Sequence, residues 1–267
     1  MKVPALASAA LAIGFWWLAT GMLFALQNGP ASHAIVLVAT AGLAALGTGL
    51  ILFYRNRTTA RSAQFGFLGG ALLWTWVQAG LYGGWLVGPP LVPTATATDR
   101  LAFMLEAIRA TIWSDAAGLV VLGAAAVAAN QAANKAAFYS ILLLWFAHQF
   151  ARLNVFFGVV NPGADLLPPH LMFLSYYFGP QHNSLLLPIS ILTFAALAWY
   201  LFRSGRLADS HTRQLNVLLG TLALLASLEF TLLGLPVRLP LWRGFLHTPS
   251  GQVAGPPLAP PPNGLGG

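Results

Sequence analysis

Runs of about 20 residues with almost no charge recur along the whole chain, near 4–27, 33–54, 62–87, 101–129, 136–160, 184–203 and 214–236. An α-helix of about 20 apolar residues crosses a bilayer core, and in lipid only helices and closed barrels satisfy their own backbone. The runs are continuous rather than alternating, which predicts helices and not strands. The expected fold class is all-α: a polytopic membrane bundle of about seven transmembrane helices. Only 7% of the 267 residues are charged, against about 25% in soluble domains. No polar segment is long enough to form a separate soluble domain. The first run holds Trp16 and Trp17 at its centre and exceeds the apolar core of about 7–15 residues in a signal peptide, so it reads as a retained helix. The bundle is expected over 1–240, followed by an extended or disordered tail rich in Pro and Gly over 241–267.

The formal charge of +7 gains its meaning from placement. With the N-terminus in the cytoplasm, Lys2, Arg55, Arg57, Arg61, Lys135, Arg203, Arg206 and Arg213 fall inside. Arg100, Arg238 and Arg243 fall outside. This bias predicts an N-in, C-out topology and makes nucleic acid an unexpected partner; the lipid bilayer is the expected one. The absence of cysteine excludes disulfides, thiolate metal sites and cysteine nucleophiles.

Polar residues inside spans are costly in lipid and are the first candidates for function. Here they are Gln78, Arg109, Asp115, His148, Arg152, Asn154 and Glu229. The fourth run is cleanly apolar only after Asp115, too short to cross by itself. Its helix must therefore extend back through Asp115, Arg109 and Glu106, and the last two can pair at i,i+3. From the rise of 1.5 Å per residue, Arg152, Glu229 and Gln78 share a depth, with His148 and Asp115 just below. One reading is structural: an Arg152–Glu229 ion pair fixing helix register, with Asp115 and His148 hydrogen-bonded nearby. The other is a site for a metal, a pigment or a proton path. A single His beside scattered carboxylates lacks the paired spacing of helical zinc or di-iron sites, so no metal site is expected. Axial ligation of a chlorin magnesium by His148 stays chemically open.

No nucleophile motif, phosphate loop or dinucleotide fingerprint occurs, so no catalytic residue is assigned and no enzyme is expected. The glycines of FLGG (67–70) and YGGW (82–85) fall within an apolar run and are expected to allow close helix packing.

After VVNPGAD comes LLPPHLMFLSYYFGPQH, too short to span. Leu166, Leu167, His170, Leu171, Leu174, Tyr177 and Phe178 recur at helical spacing. They predict one amphipathic helix over about 166–178 on the outer membrane surface, either capping the bundle or meeting a partner membrane protein. Candidate partner contacts are Leu167, His170, Leu171, Leu174, Tyr177 and Phe178, with Trp242 beyond the last run.

RLNVFFGVVNPGADLLPPHLMFLSYYF (152–178), continuing through HNSLLLPIS, resembles the hallmark segment of the PuhE family, photosynthetic complex assembly proteins of purple phototrophic bacteria. The matching residues are Leu153, Asn154, Gly158, Val159, Asn161, Leu167, Pro168, His170, Leu171, Leu174, Ser175, Tyr177, Phe178, Asn183 and Pro188. LEFTLLGLPVRLPLWRGFL (228–246) is similar to the family's ending, with Leu241, Trp242 and Arg243 in place and Gly244 where a tryptophan stands. The family's His-Glu pairs in the third and fourth helices are replaced by Val77–Gln78 and Ser114–Asp115, so family metal chemistry does not carry over.

The resemblance implies an assembly factor for the photosynthetic reaction centre and core antenna, with their polypeptides as partners. It also implies a link to bacteriochlorophyll supply. The location implied is the bacterial cytoplasmic membrane, or the intracytoplasmic photosynthetic membrane where one exists. Two alternatives stay open: a membrane enzyme or pigment- or metal-handling protein using His148, Asp115, Arg152 and Glu229, and a small transporter. The lack of an internal repeat counts mildly against the transporter.

Overall fold

The computed structural model describes residues 3–28, 33–90 and 99–237. Lys2, Arg238, Trp242, Arg243 and the tail expected over 241–267 lie outside them. The described residues contain seven α-helices and no strand: α1 (Val3–Asn28), α2 (His33–Tyr54), α3 (Ala60–Tyr82), α4 (Arg100–Asn130), α5 (Ala136–Phe157), α6 (Leu186–Ser204) and α7 (Ser210–Leu233). Six of them are long and apolar enough to cross a membrane. The exception is α3, which packs against α1, α2, α4, α5 and α7. A helix surrounded by protein need not be lipophilic, and α3 spends its buried face on small and polar residues such as Ser62, Gly66, Gly70, Thr75 and Gln78.

Glycine sets the spacing around this central helix. A Cβ on Gly70 would lie 2.5 Å from the Ala137 carbonyl oxygen of α5, and one on Gly69 would lie 2.9 Å from the Gly47 carbonyl oxygen of α2. FLGG therefore marks close backbone approach. YGGW does not. The helix ends at Tyr82, Gly83 caps it, and Gly84 takes φ +77°, so these glycines terminate the helix instead of packing inside it.

Polar side chains join the helices at one end. Asn134, between α4 and α5, donates to the Tyr54 and Ser62 carbonyls and meets the His211 Nε2 of α7 at 3.1 Å. Ser8 of α1 donates to Gln214 and accepts from Gln64. The connections at this end carry Arg55, Arg57, Lys135 and Arg206, and Arg61 and Arg213 lie in the first turns of α3 and α7. Thr59 and Ser62 form a capping box at α3, and Asp209 caps α7 by accepting from the His211 and Thr212 N–H groups.

The opposite end is closed by residues 158–185. The single amphipathic α-helix expected over 166–178 is replaced by two 3₁₀ segments, Ala164–Leu166 and Pro169–Tyr177. With three residues per turn, side chains at i and i+3 eclipse. Pro168, Leu171 and Tyr177 share such a row and are buried, with Leu174 half-buried between the last two. A spacing of three also fits one face of an α-helix, which is why the sequence suggested the wrong helix type. This cap is tied down at several points. His170 Nε2 lies 2.8 Å from the Tyr82 carbonyl oxygen at the end of α3. The Asn161 N–H donates to the Leu233 carbonyl, and Asn183 Nδ2 donates to that of Gly234, at the end of α7.

Candidate functional site

Beneath the cap lies a cavity of about 480 Å³, bordered by α1, α3, α4, α5 and α7 as well as the cap itself. Each wall is placed by a local feature. On α4, Asp99 caps the first turn by accepting from the Ala102 N–H, and the helix then runs unbroken for 31 residues through Glu106, Arg109 and Asp115. On α5, His148 and Arg152 are one turn apart and so share a face. On α7, Glu229 follows the buried Ser227, whose hydroxyl donates to the Ile191 carbonyl of α6.

Asp115, His148, Arg152 and Glu229 all line this cavity. They do not pair as expected. Arg152 reaches Asp115 at 2.5 Å and also donates to the Thr111 hydroxyl and to Gln149. Gln149 Nε2 donates to the same carboxylate at 2.9 Å. The charge of Arg152 is therefore met by α4, and the expected Arg152–Glu229 pair is not formed. The depth estimate put both carboxylates within reach, but the positions of the helices around the bundle decide between them, and residue spacing along one helix carries no information on that. Glu229 instead accepts a hydrogen bond from Trp16 of α1.

His148 packs ring edge against Trp74 with centroids 5.7 Å apart. Its nitrogens form no hydrogen bond with any described residue, and the ring opens onto the cavity. The remaining sequence candidates lie elsewhere. Gln78 is buried in α3 away from the cavity. Asn154 is fully buried and joins α5 to α6 through a 2.8 Å bond to the Ser190 hydroxyl. Arg109 borders a separate small recess with Glu106, Pro89 and Tyr177.

The cap residues proposed as partner contacts also need correction. Leu167, Leu171, Leu174, Tyr177 and Phe178 turn toward the cavity, and Leu171 and Tyr177 are buried. Burial, with Glu106 nearby, pushes the Tyr177 phenol above its ordinary pKa, which keeps it protonated. The large side chains facing outward are Met172 and Tyr176. His170 is exposed and bonds back to α3. Sequence reading also missed Thr111 and Gln149, which complete the Arg152–Asp115 network, and Tyr82 and Thr20 on the cavity wall.

Chemically, the arrangement offers a neutralised cation, a carboxylate bound by an indole, and one free imidazole in a mostly apolar chamber. No group of three or more His, Asp or Glu among the described residues is placed to hold a metal ion. One imidazole suffices as an axial ligand to a magnesium chlorin. A cavity of this volume suits a drug-sized molecule, for which sites run about 300–1,000 Å³. It would enclose only part of a tailed tetrapyrrole.

Comparison with known proteins gives the chain a family. The uncharacterized 30.4 kDa protein in the puhA 5′ region of Rhodobacter capsulatus is 30% identical over 237 residues, covering 83% of this chain and 83% of that protein. No solved structure matches. The model of the family described as a protein of unknown function, DUF3623, matches residues 1–252. The chain belongs to the DUF3623 family.

Proposed function

We propose that this protein is a non-enzymatic membrane assembly factor for the bacterial photosynthetic reaction centre and core antenna. In this reading the chain crosses the cytoplasmic membrane seven times, from a cytoplasmic N-terminus to an outer C-terminal end. The basic residues at the Asn134 end support that orientation. One observation carries the role: the residues behind the PuhE resemblance gather in the cap. Asn161, His170 and Asn183 make its anchoring bonds, and Pro168, Leu171 and Tyr177 form its inward row. The relative's position in the puhA 5′ region, beside a gene that shares the puh designation, supports the same reading. Met172 and Tyr176 form the outward face offered to a client polypeptide. A photo-crosslinking residue at either position, in pigmented membranes, should capture a reaction-centre or core-antenna subunit. Capture of none of them, from either position, would refute the reading.

A second reading is favoured by the convergence of Asp115, His148, Arg152 and Glu229 on one cavity: a protein that handles a small molecule within the membrane. It predicts that His148→Ala abolishes the protein's effect on pigment complexes at unchanged abundance. Full activity of that variant would leave the cavity with a packing role only.

A further inference from the structure

We infer that the cavity beneath the cap binds an uncharged, mostly apolar molecule whose polar head is a carbonyl or hydroxyl held by His148. The inference does not rest on the assembly role. The volume of about 480 Å³ lies within the range of small-molecule sites. Most of the wall is aliphatic or aromatic, from α3, α4, α5 and the cap, and apolar space of this kind does not hold water well. The occupant is therefore chiefly apolar.

The polar patch decides the head. Arg152 is engaged by Asp115, Thr111 and Gln149, so it offers no free cation to an anionic head. Glu229 lies on the same cavity wall and offers an anionic head no positive charge. Its indole partner already takes up part of its hydrogen-bonding capacity, which weakens the case for a cation. His148 is left: one donor and one acceptor in its neutral form, with no hydrogen bond to a described residue. It matches a carbonyl, which needs a donor, or a hydroxyl, which can use either nitrogen.

The test uses the full chain in lipid nanodiscs, with thermal unfolding followed by circular dichroism as decylubiquinone is added. Ligand that binds only the folded state raises the unfolding temperature in a saturable way. The wild type should show that rise. Ala151→Phe, which fills the cavity from α5, should lose it; Ala107→Phe does the same from α4 should the first variant fail to fold. His148→Phe keeps a ring against Trp74 and removes the hydrogen bond, so its apparent Kd should weaken about tenfold. Decanoate, with an anionic head, should bind more weakly than decylubiquinone. No saturable rise, the same rise in all variants through partition into the bilayer, unchanged affinity in His148→Phe, or tighter binding of decanoate would each overturn the inference.

Discussion

Neutralising Arg152 and Asp115 should reveal a strong coupling that Arg152 and Glu229 lack. The pair joins α5 to α4, and its side chains are 26% and 24% exposed. Breaking a fully buried pair costs about 3–5 kcal/mol because one charge is left uncompensated; a fully exposed pair contributes about 0–1 kcal/mol. At one-quarter exposure, with Thr111 and Gln149 sharing the load, about 2 kcal/mol is expected for Arg152→Gln or Asp115→Asn. With about 2–4 °C per kcal/mol for chains of similar size, each single variant should unfold about 4–8 °C lower. The double variant should unfold near the temperature of either single one, giving a coupling of about 2 kcal/mol in a double-mutant cycle. The same cycle with Glu229→Gln should give less than about 0.5 kcal/mol, the scatter expected for independent sites. The assay is thermal unfolding in nanodiscs, supported by membrane accumulation. The charge-swapped Asp115→Arg/Arg152→Asp protein should accumulate better than either single reversal. A coupling of Arg152 to Glu229 as large as its coupling to Asp115 would refute the helix arrangement.

Gly70→Ala should destabilise by about 1–3 kcal/mol, because its Cβ meets the Ala137 backbone; Gly123→Ala, with nothing within 4 Å, should not destabilise. Thermal unfolding of the two variants side by side checks this. Asn134→Ala removes the partner of two carbonyls and of His211, and a loss of about 2–3 kcal/mol should appear in the same assay. Asp209 is held below its ordinary pKa, first by the Thr212 hydroxyl and then by backbone N–H groups. Its cap therefore stabilises α7 above the unfolded carboxyl pKa and fades as pH falls through the lower folded value. Asp209→Asn should flatten that acid-side dependence of the unfolding temperature below about pH 4. Because the chain has no cysteine, single cysteines at Arg57 and Tyr176 can be probed with a membrane-impermeant maleimide. Only the Tyr176 position should label from outside; labelling of Arg57 alone would invert the proposed orientation.

The helices were legible because lipid imposes their length and continuity. Each of the seven runs coincides with an α-helix, including α4, where Asp115 and Arg109 had to be carried inside. What sequence could not supply is rotation: which face of each helix meets which neighbour. That is why Arg152 was matched with Glu229 by depth and is found with Asp115. Helix type was misread for a related reason, since spacings of three serve both an α-helix and a 3₁₀ run. The polar joints Ser8–Gln214 and Asn134–His211 bring together residues more than 70 positions apart, and no local pattern announces them. Seven polar residues were singled out for being costly in lipid, and four of them, Asp115, His148, Arg152 and Glu229, converge on one chamber. The others, Gln78, Arg109 and Asn154, carry the same sequence signal with different packing, so polarity inside a span marks candidates without sorting them.

The PuhE-like segment gains a physical meaning from its placement. Gly158 takes φ +117° with the Pro180 carbonyl oxygen 2.7 Å from where a Cβ would lie. Val159 is buried, and Asn161 and Asn183 fasten the chain to the end of α7. Most of these residues build the cap and its anchors, and the cap covers the cavity. An assembly factor and a small-molecule carrier would both need that lid in place.

The measurement closest to the central claim is the near-infrared absorption spectrum of whole host cells lacking the gene, grown under pigment-inducing conditions. Selective loss of reaction-centre and core-antenna bands, restored by the wild-type gene, is the predicted result. A spectrum unchanged from that of the parent strain would contradict a role in assembly.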